Sequence, residues 1–288
     1  MRQNHRGFLI VLNWHQVTPE FSPSIQHKYT WTQLDVFKAA VRYLEEEFRI
    51  LPLYDALGSI NRGTLRGPCA ALTFDDGDIS IANYVAPFLR QRNLPATFFI
   101  NSAYLDGHSS YWFPVASFLM ANDIARSRAD FSDELRAQAL QLRQTDDPAF
   151  YNRVRERVER LAFLVPDLGS RLVSEAWISN LDGDQFAIGA HGHEHQRLSM
   201  MAAEWQRNDL CENVKCLSQF RAYRPIFAVP FGRAWDWTQE TIGIARAQGL
   251  YAMLAGGGIN LSAAEVYRRI PSDGRAVRRL VAEAMAQY

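Results

Sequence analysis

Short apolar runs alternate along this chain with longer stretches in which apolar residues recur every three or four positions. Residues 8–12, 49–53, 70–74, 95–100, 186–190, 226–229 and 250–254 are dominated by apolar side chains, the pattern of strands buried on both faces. Between them, Thr32 caps a predicted helix running to about Phe48, with Leu34, Phe37, Val41 and Leu44 on one side. Further helices are expected over residues 81–91, about 203–220, 238–248 and about 275–286, with polar loops at 19–30 and 61–68. This strand–helix rhythm predicts an α/β protein with a parallel sheet or barrel, its chemistry at the C-terminal ends of the strands. Between Tyr111 and Leu172 the rhythm breaks. Residues 134–142 and 151–164 are charged, amphipathic and helical with no strand between them, which reads as a helical insertion covering the barrel or as a lid over it. The expected organisation is one domain over 1–288 with an insertion at about 111–172.

Composition adjusts this picture only at the edges. A chain of 288 residues, 48% hydrophobic and 22% charged, is ordinary for a globular enzyme with a sizeable core. The formal net charge of zero supplies no basic field for a polyphosphate partner, so nucleic-acid binding is not expected. The cysteines Cys69, Cys211 and Cys216 form neither an even-numbered disulfide framework nor a Cys-x-x-Cys knuckle, and a reducing compartment is the simplest setting. The apolar run at 8–12 is too short for a signal-peptide core or a bilayer span. No transmembrane segment is expected, and a cytoplasmic location follows unless a leader has been removed.

Candidate chemistry is concentrated at two places. Thr73-Phe74-Asp75-Asp76-Gly77 ends a predicted strand with two adjacent carboxylates, and the turn at Gly77 lets both face one pocket. His191-Gly192-His193-Glu194-His195 packs three of the seven histidines into five positions, with His191 and His195 on one side of a helical turn or tight loop. Alone, the first is an ordinary turn and the second an ordinary surface chelate. Together they offer one carboxylate and two imidazoles with open positions for water, the pattern of a catalytic metal, and a second carboxylate free to act as base. His193 is the rival ligand in any local chelate.

These residues resemble the motifs of the polysaccharide deacetylase family (carbohydrate esterase family 4, NodB-like), and the resemblance extends over nearly the whole chain. It implies a distorted (β/α)7-type barrel. The Asp-Asp motif implies Asp75 as general base and Asp76 as metal ligand; the His-Ser/Thr-x-x-His motif implies His191 and His195 as the other ligands, with Gly192 where a hydroxyl side chain is usual. Phe227-Ala228-Val229-Pro230-Phe231-Gly232 is similar to the third motif, implying that the backbone N–H of Phe231 helps bind the oxyanion. Ala228 stands where the commoner form has an Arg that orients the base, so another cation is needed, and Arg268 or Arg269 is the candidate. The usual C-terminal Leu-x-His is absent. Leu12-Asn13-Trp14-His15-Gln16-Val17 instead resembles the start of the exopolysaccharide (poly-N-acetylglucosamine) deacetylase branch, which implies His15 as general acid.

The function so implied is metal-dependent removal of N-acetyl groups from amino sugars of a polysaccharide or glycoconjugate. The ligand set suits one divalent ion, zinc first, with cobalt, nickel and iron compatible. Trp14, Pro230, Arg269 and Trp235 are the candidate substrate contacts, and Trp112 and Trp237 are further aromatics that could stack on sugar rings or pack in the core. A deacetylase of a small or lipid-linked sugar and an inactive sugar-binding module on the same fold are the competing readings.

Overall fold

The computed structural model describes residues 7–21, 30–105, 116, 133–141, 145, 147–161 and 171–287. Ten strands occur among them: β1 Phe8–Trp14, β2 Gln16–Thr18, β3 Trp31–Gln33, β4 Arg49–Ile50, β5 Pro68–Phe74, β6 Ala96–Ile100, β7 Phe186–Ala190, β8 Tyr223–Ala228, β9 Ala252–Gly256 and β10 Val266–Pro271. All their pairings are parallel, and the order β1-β10-β9-β8-β7-β6-β5 closes on itself through β1–β5. The result is a closed seven-stranded parallel barrel with helices outside, as the sequence pattern leads one to expect.

The closure is uneven. β1 lies against β5 along its whole length, from Phe8↔Pro68 to Trp14↔Phe74, but meets β10 only at Leu12↔Ile270 and Asn13↔Pro271. β5 meets β6 only at Thr73↔Thr97 and Phe74↔Phe98, while β4 takes the lower part of that edge at Cys69 and Ala70. The barrel is thus wedged open toward its N-terminal end, and β4 fills the gap.

Period-two alternation along the strands sorts the side chains into two layers. Ile10, Leu12, Trp14, Leu72 and Phe74 point outward to pack under the helix Leu34–Glu47, whose Phe37, Val41 and Leu44 are buried against them. Leu9, Val11, Cys69, Ala71, Phe99, Ile226, Ala228, Leu254 and Tyr267 point inward and fill the barrel. The helix Leu53–Asn61 adds Leu53, Ala56, Leu57 and Ile60 to that inner cluster. Gly189 is required here, because a Cβ would stand 2.6 Å from the Phe99 ring that crosses the interior.

Several expectations need correction. Gln33, not Thr32, caps the helix Leu34–Glu47, its side chain accepting from Asp35 N and Val36 N; Thr32 lies in β3. The strand expected over 49–53 covers only β4, because Leu53 begins a helix. β2, β3, β10 and the helix Glu175–Ser179 have no counterpart in the sequence reading. The two insertion helices lie at Asp133–Gln141 and Pro148–Glu159; Trp112 and residues 22–29 of the expected loop fall outside the described residues. No helix among the described residues is long and apolar enough to cross a membrane.

Trp14 is fully buried, stacked on Phe74 at 5.6 Å and edge-on to Phe37 at 5.4 Å. It is a core residue and cannot serve as a sugar platform. Trp14→Ala is expected to lower stability by about 3–5 kcal/mol, the usual range for truncating a buried aromatic. Urea unfolding measures this; a loss under about 1 kcal/mol would contradict the packing described.

Candidate active site

Above the apolar interior, the inward positions become polar as the strands reach their C-terminal ends. Leu9 and Val11 are followed by Asn13, Cys69 and Ala71 by Thr73 and Asp75, Phe99 by Asn101, Gly189 by His191, and Tyr267 by Arg269. One alternation rule therefore carries five strands' functional side chains to a single level.

Asp75 follows β5 and is 2% exposed. Arg269 grips it with two bonds, Nη1 to Oδ1 at 2.7 Å and Nη2 to Oδ2 at 2.9 Å, and Asn13 Nδ2 donates to Oδ2 at 3.1 Å. The guanidinium in turn sits over the Phe99 ring at 5.4 Å. Burial pushes the Asp75 carboxyl up, but Arg269 together with His191 and His15 holds the group below its ordinary value. Of the two candidate cations for the position emptied by Ala228, the structure selects Arg269; Arg268 is exposed on the other face of β10. With its fork on Asp75 and only 4% exposure, Arg269 is not a substrate contact, which corrects that expectation.

Asp76 turns away from Asp75 toward the histidines. Its Oδ1 lies 3.3 Å from Nε2 of His191 and 3.3 Å from Nε2 of His195. One ligand atom from each of the three residues lies within 4.8 Å of the others, so the group could hold a metal ion. The residues themselves suit one. Buried Asp76 Oδ1 and His191 Nε2 lack a hydrogen bond. His191 Nδ1 faces the Ala228 carbonyl at 2.8 Å. A carbonyl only accepts, so Nδ1 carries the proton and Nε2 presents its lone pair to the cluster. Burial pushes Asp76 up, but the His195 and His191 imidazoles hold it well below the usual carboxylate range. Burial also lowers His195, against the raising pull of Asp76, a direction that favours the neutral form a ligand needs. His193 points elsewhere, its Nδ1 on Ser102 Oγ at 3.0 Å.

Residues 191–195 form a loop rather than a helical turn, and three neighbours hold it. Asn101 Nδ2 donates to the carbonyls of His191 and Gly192 at 2.6 and 3.1 Å, Asn213 Oδ1 accepts from His191 N at 3.0 Å, and Asp209 accepts from His193 N and Glu194 N at 2.9 Å each. Burial pushes the Asp209 carboxyl up to about 6, against the two backbone N–H groups that lower it. Further along, Arg197 pairs with Asp236 at 3.0 Å in a buried contact that ties this loop to the segment after β8. From the insertion, the buried Tyr151 hydroxyl accepts from Arg197 N at 3.0 Å. Four described non-glycine residues have positive φ, and three of them are at the site: Asp76 (69°), His195 (55°) and Phe231 (63°). Each left-handed backbone stores on the order of 1–3 kcal/mol, strain that gathers where function demands a fixed geometry.

Across the pocket, His15 follows β1. Its Nδ1 meets Asp273 Oδ2 at 2.5 Å, its backbone N–H donates to Asp273 Oδ1 at 2.9 Å, and its Nε2 faces Asp75 Oδ2 at 3.9 Å. Burial lowers this imidazole, but Asp273, helped by Asp76 and Asp75, raises the pKa to about 10. Phe231 lies edge-on to His195 at 4.7 Å, and Pro230 is buried beside the histidine loop. Trp235, four residues after Phe231, is 56% exposed, with the Arg233 guanidinium over its ring at 5.6 Å, whereas Trp237 packs against the apolar cluster around Phe227 and Val229. Asn13, Asn101, Asp209, Asn213, Arg197 and Asp236 were not singled out from the sequence. Gln206 and Asn213, on the buried stripe of the helix Ala203–Leu217, were the available signal, since a buried polar side chain must find a partner.

A parallel barrel with two carboxylates and two imidazoles at its C-terminal mouth defines a hydrolase-like site. The polysaccharide deacetylase family model matches residues 62–253, and the chain belongs to that family. Among solved structures, the Streptococcus pyogenes deacetylase PplD, in complex with acetate, superposes with a TM-score of 0.65 at 14% identity, covering 96% of this chain and 98% of its own. A de-N-acetylase from Aggregatibacter actinomycetemcomitans gives 0.63 at 14% identity, covering 95% and 99%, and IcaB from Ammonifex degensii gives 0.61 at 17%, covering 96% and 97%. These likenesses show the fold. No curated protein matches. The family match stops short of His15, Arg269 and Asp273, which reach the pocket only through β1 and β10.

Proposed function

We propose that this protein is a metal-dependent hydrolase that removes N-acetyl groups from amino sugars of a polysaccharide or glycoconjugate. The observation that carries the reading is the convergence of three groups on one pocket: the Asp76–His191–His195 cluster, the Arg269-held Asp75 and the Asp273-held His15. Asp76, His191 and His195 would hold the ion, and nitrogen and oxygen donors of this kind suit zinc. When bound, the ion supplies Lewis-acid polarisation of the acetyl carbonyl and of the attacking water.

The chain's own residues supply the proton transfers. Asp75, fixed by Arg269 and Asn13, takes the proton from the water as it attacks the carbonyl carbon. The Phe231 N–H stabilises the negative charge that develops on the carbonyl oxygen. His15, kept protonated by Asp273, gives its Nε2 proton to the leaving amine nitrogen as the C–N bond breaks. The products are acetate and a free amine. The exposed Trp235 is the remaining aromatic suited to stack on a sugar ring.

Acetate release from a panel of N-acetylated sugars and oligosaccharides, by zinc-loaded and chelator-treated protein, tests the reading directly. No release from any member, or release that ignores the chelator, would overturn it. The acid has its own signature. His15→Ala should slow hydrolysis of amides most and spare activated esters, whose leaving group needs little protonation. Because Asp273 does most to raise His15, Asp273→Asn should lower its pKa and move the alkaline limb of the kcat profile to lower pH. An unmoved limb, or equal loss on amide and activated ester, would remove His15 from the acid role.

A further inference from the structure

The loop that carries two ligands of the cluster has an unusual support on its outer side. Asp209, half-buried on the helix Ala203–Leu217, accepts from His193 N with Oδ2 and from Glu194 N with Oδ1, both at 2.9 Å. Both carboxylate oxygens are engaged on consecutive backbone N–H groups, so the side chain is fixed in rotation as well as position. One turn further along the same helix, Asn213 Oδ1 takes His191 N at 3.0 Å. Two residues four apart on one helix thus hold the backbone N–H groups of His191, His193 and Glu194, leaving out only that of the intervening Gly192. At Gly192 (φ 78°), a Cβ would stand 2.7 Å from Asp209 Oδ2. That oxygen could retreat only by releasing the His193 N–H.

We infer that Asp209 is a positioning residue for the metal site, setting the spacing of the His191 and His195 imidazoles through the loop backbone, and that Gly192 and Asp209 are a matched pair in which the glycine makes room for the carboxylate. The inference rests on the reading of Asp76, His191 and His195 as ligands. It reaches the ion without touching any ligand side chain, since Asp209 contacts only backbone between the two histidines. Partners of this kind commonly change metal affinity by about ten- to a hundredfold.

The test is the zinc dissociation constant, measured by competition with a chromophoric chelator, for wild type, Asp209→Asn, Asp209→Ala, Gly192→Ala and the double variant Gly192→Ala/Asp209→Ala, each verified as folded by circular dichroism. Asp209→Asn, which presents an amide donor to one of the two N–H groups, should weaken zinc by about ten- to a hundredfold. Gly192→Ala should weaken it in wild type and by much less in the Asp209→Ala background, because the clash is gone while the positive-φ strain is common to both backgrounds. Wild-type affinity in folded Asp209→Asn, or strictly additive effects in the cycle, would overturn the inference alone. Wild-type protein that binds no zinc would overturn it together with the ligand assignment. If Asp209→Ala does not fold, the Asp209→Asn constant decides.

Discussion

Asp75→Asn should keep its zinc and lose turnover by about a hundredfold to ten-thousandfold, the usual effect of removing a general base. The amide fills nearly the same space but accepts no proton from water at neutral pH. Its second consequence is structural. Arg269 now makes two bonds to a carboxylate, and the amide can accept only one of them, leaving a guanidinium of 4% exposure without its counter-charge. Removing one partner of a buried ion pair destabilises by roughly 3–5 kcal/mol, so a lower Tm should accompany the lost activity. Elemental analysis of bound zinc, acetate release and thermal unfolding on one preparation separate the two effects. Near-normal acetate release would take Asp75 out of the mechanism whatever happens to Tm.

Asp76→Ala should lose stoichiometric zinc and all zinc-dependent turnover. Among the described residues, Asp76 supplies the one carboxylate oxygen within reach of both imidazoles, at 3.3 Å from each Nε2. Its backbone also stands at φ 69°, a conformation that Asp and Asn tolerate and Ala resists. Asp76→Asn therefore serves as the conformational control: it keeps the backbone preference and removes the charge, and should bind zinc weakly. His193→Ala should retain the metal, because its ring nitrogen is engaged on Ser102 outside the cluster. If Asp76→Ala retained zinc while His193→Ala lost it, the ligand set would be wrong at its centre.

The strands legible in the sequence were those buried on both faces, because the barrel asks for apolar side chains inside and out. β10 escaped for the same reason in reverse: its Arg268 faces solvent and its Arg269 faces Asp75, so Tyr267-Arg268-Arg269-Ile270 does not read as buried. The helix Leu53–Asn61 was missed although Leu53, Ala56, Leu57 and Ile60 follow helical spacing, because its first residue was taken into the apolar run 49–53 and read as the end of a strand. The candidate ligands were legible because each cluster is local in sequence. The partners of His15 and Asp75 were harder, since Asp273 lies 258 residues from His15 and Arg269 lies 194 from Asp75. Trp14 shows how neighbours mislead on a strand. It adjoins Asn13, and alternation sends Asn13 to the pocket and Trp14 to the outer core.

The way the barrel closes has a consequence in time. Asp75, Asp76, His191 and His195 follow β5 and β7, whereas Arg269 lies on β10, the last strand of the barrel to be synthesised, and Asp273 just after it. Contacts across such separations form slowly, because the loop must close before they return any free energy. In chain order, Asp76, His191 and His195 all come before the strand that brings Arg269 and Asp273 to the pocket. Gathering the three candidate ligands and clamping Asp75 fall to different parts of the chain, and the docking of one six-residue strand divides them.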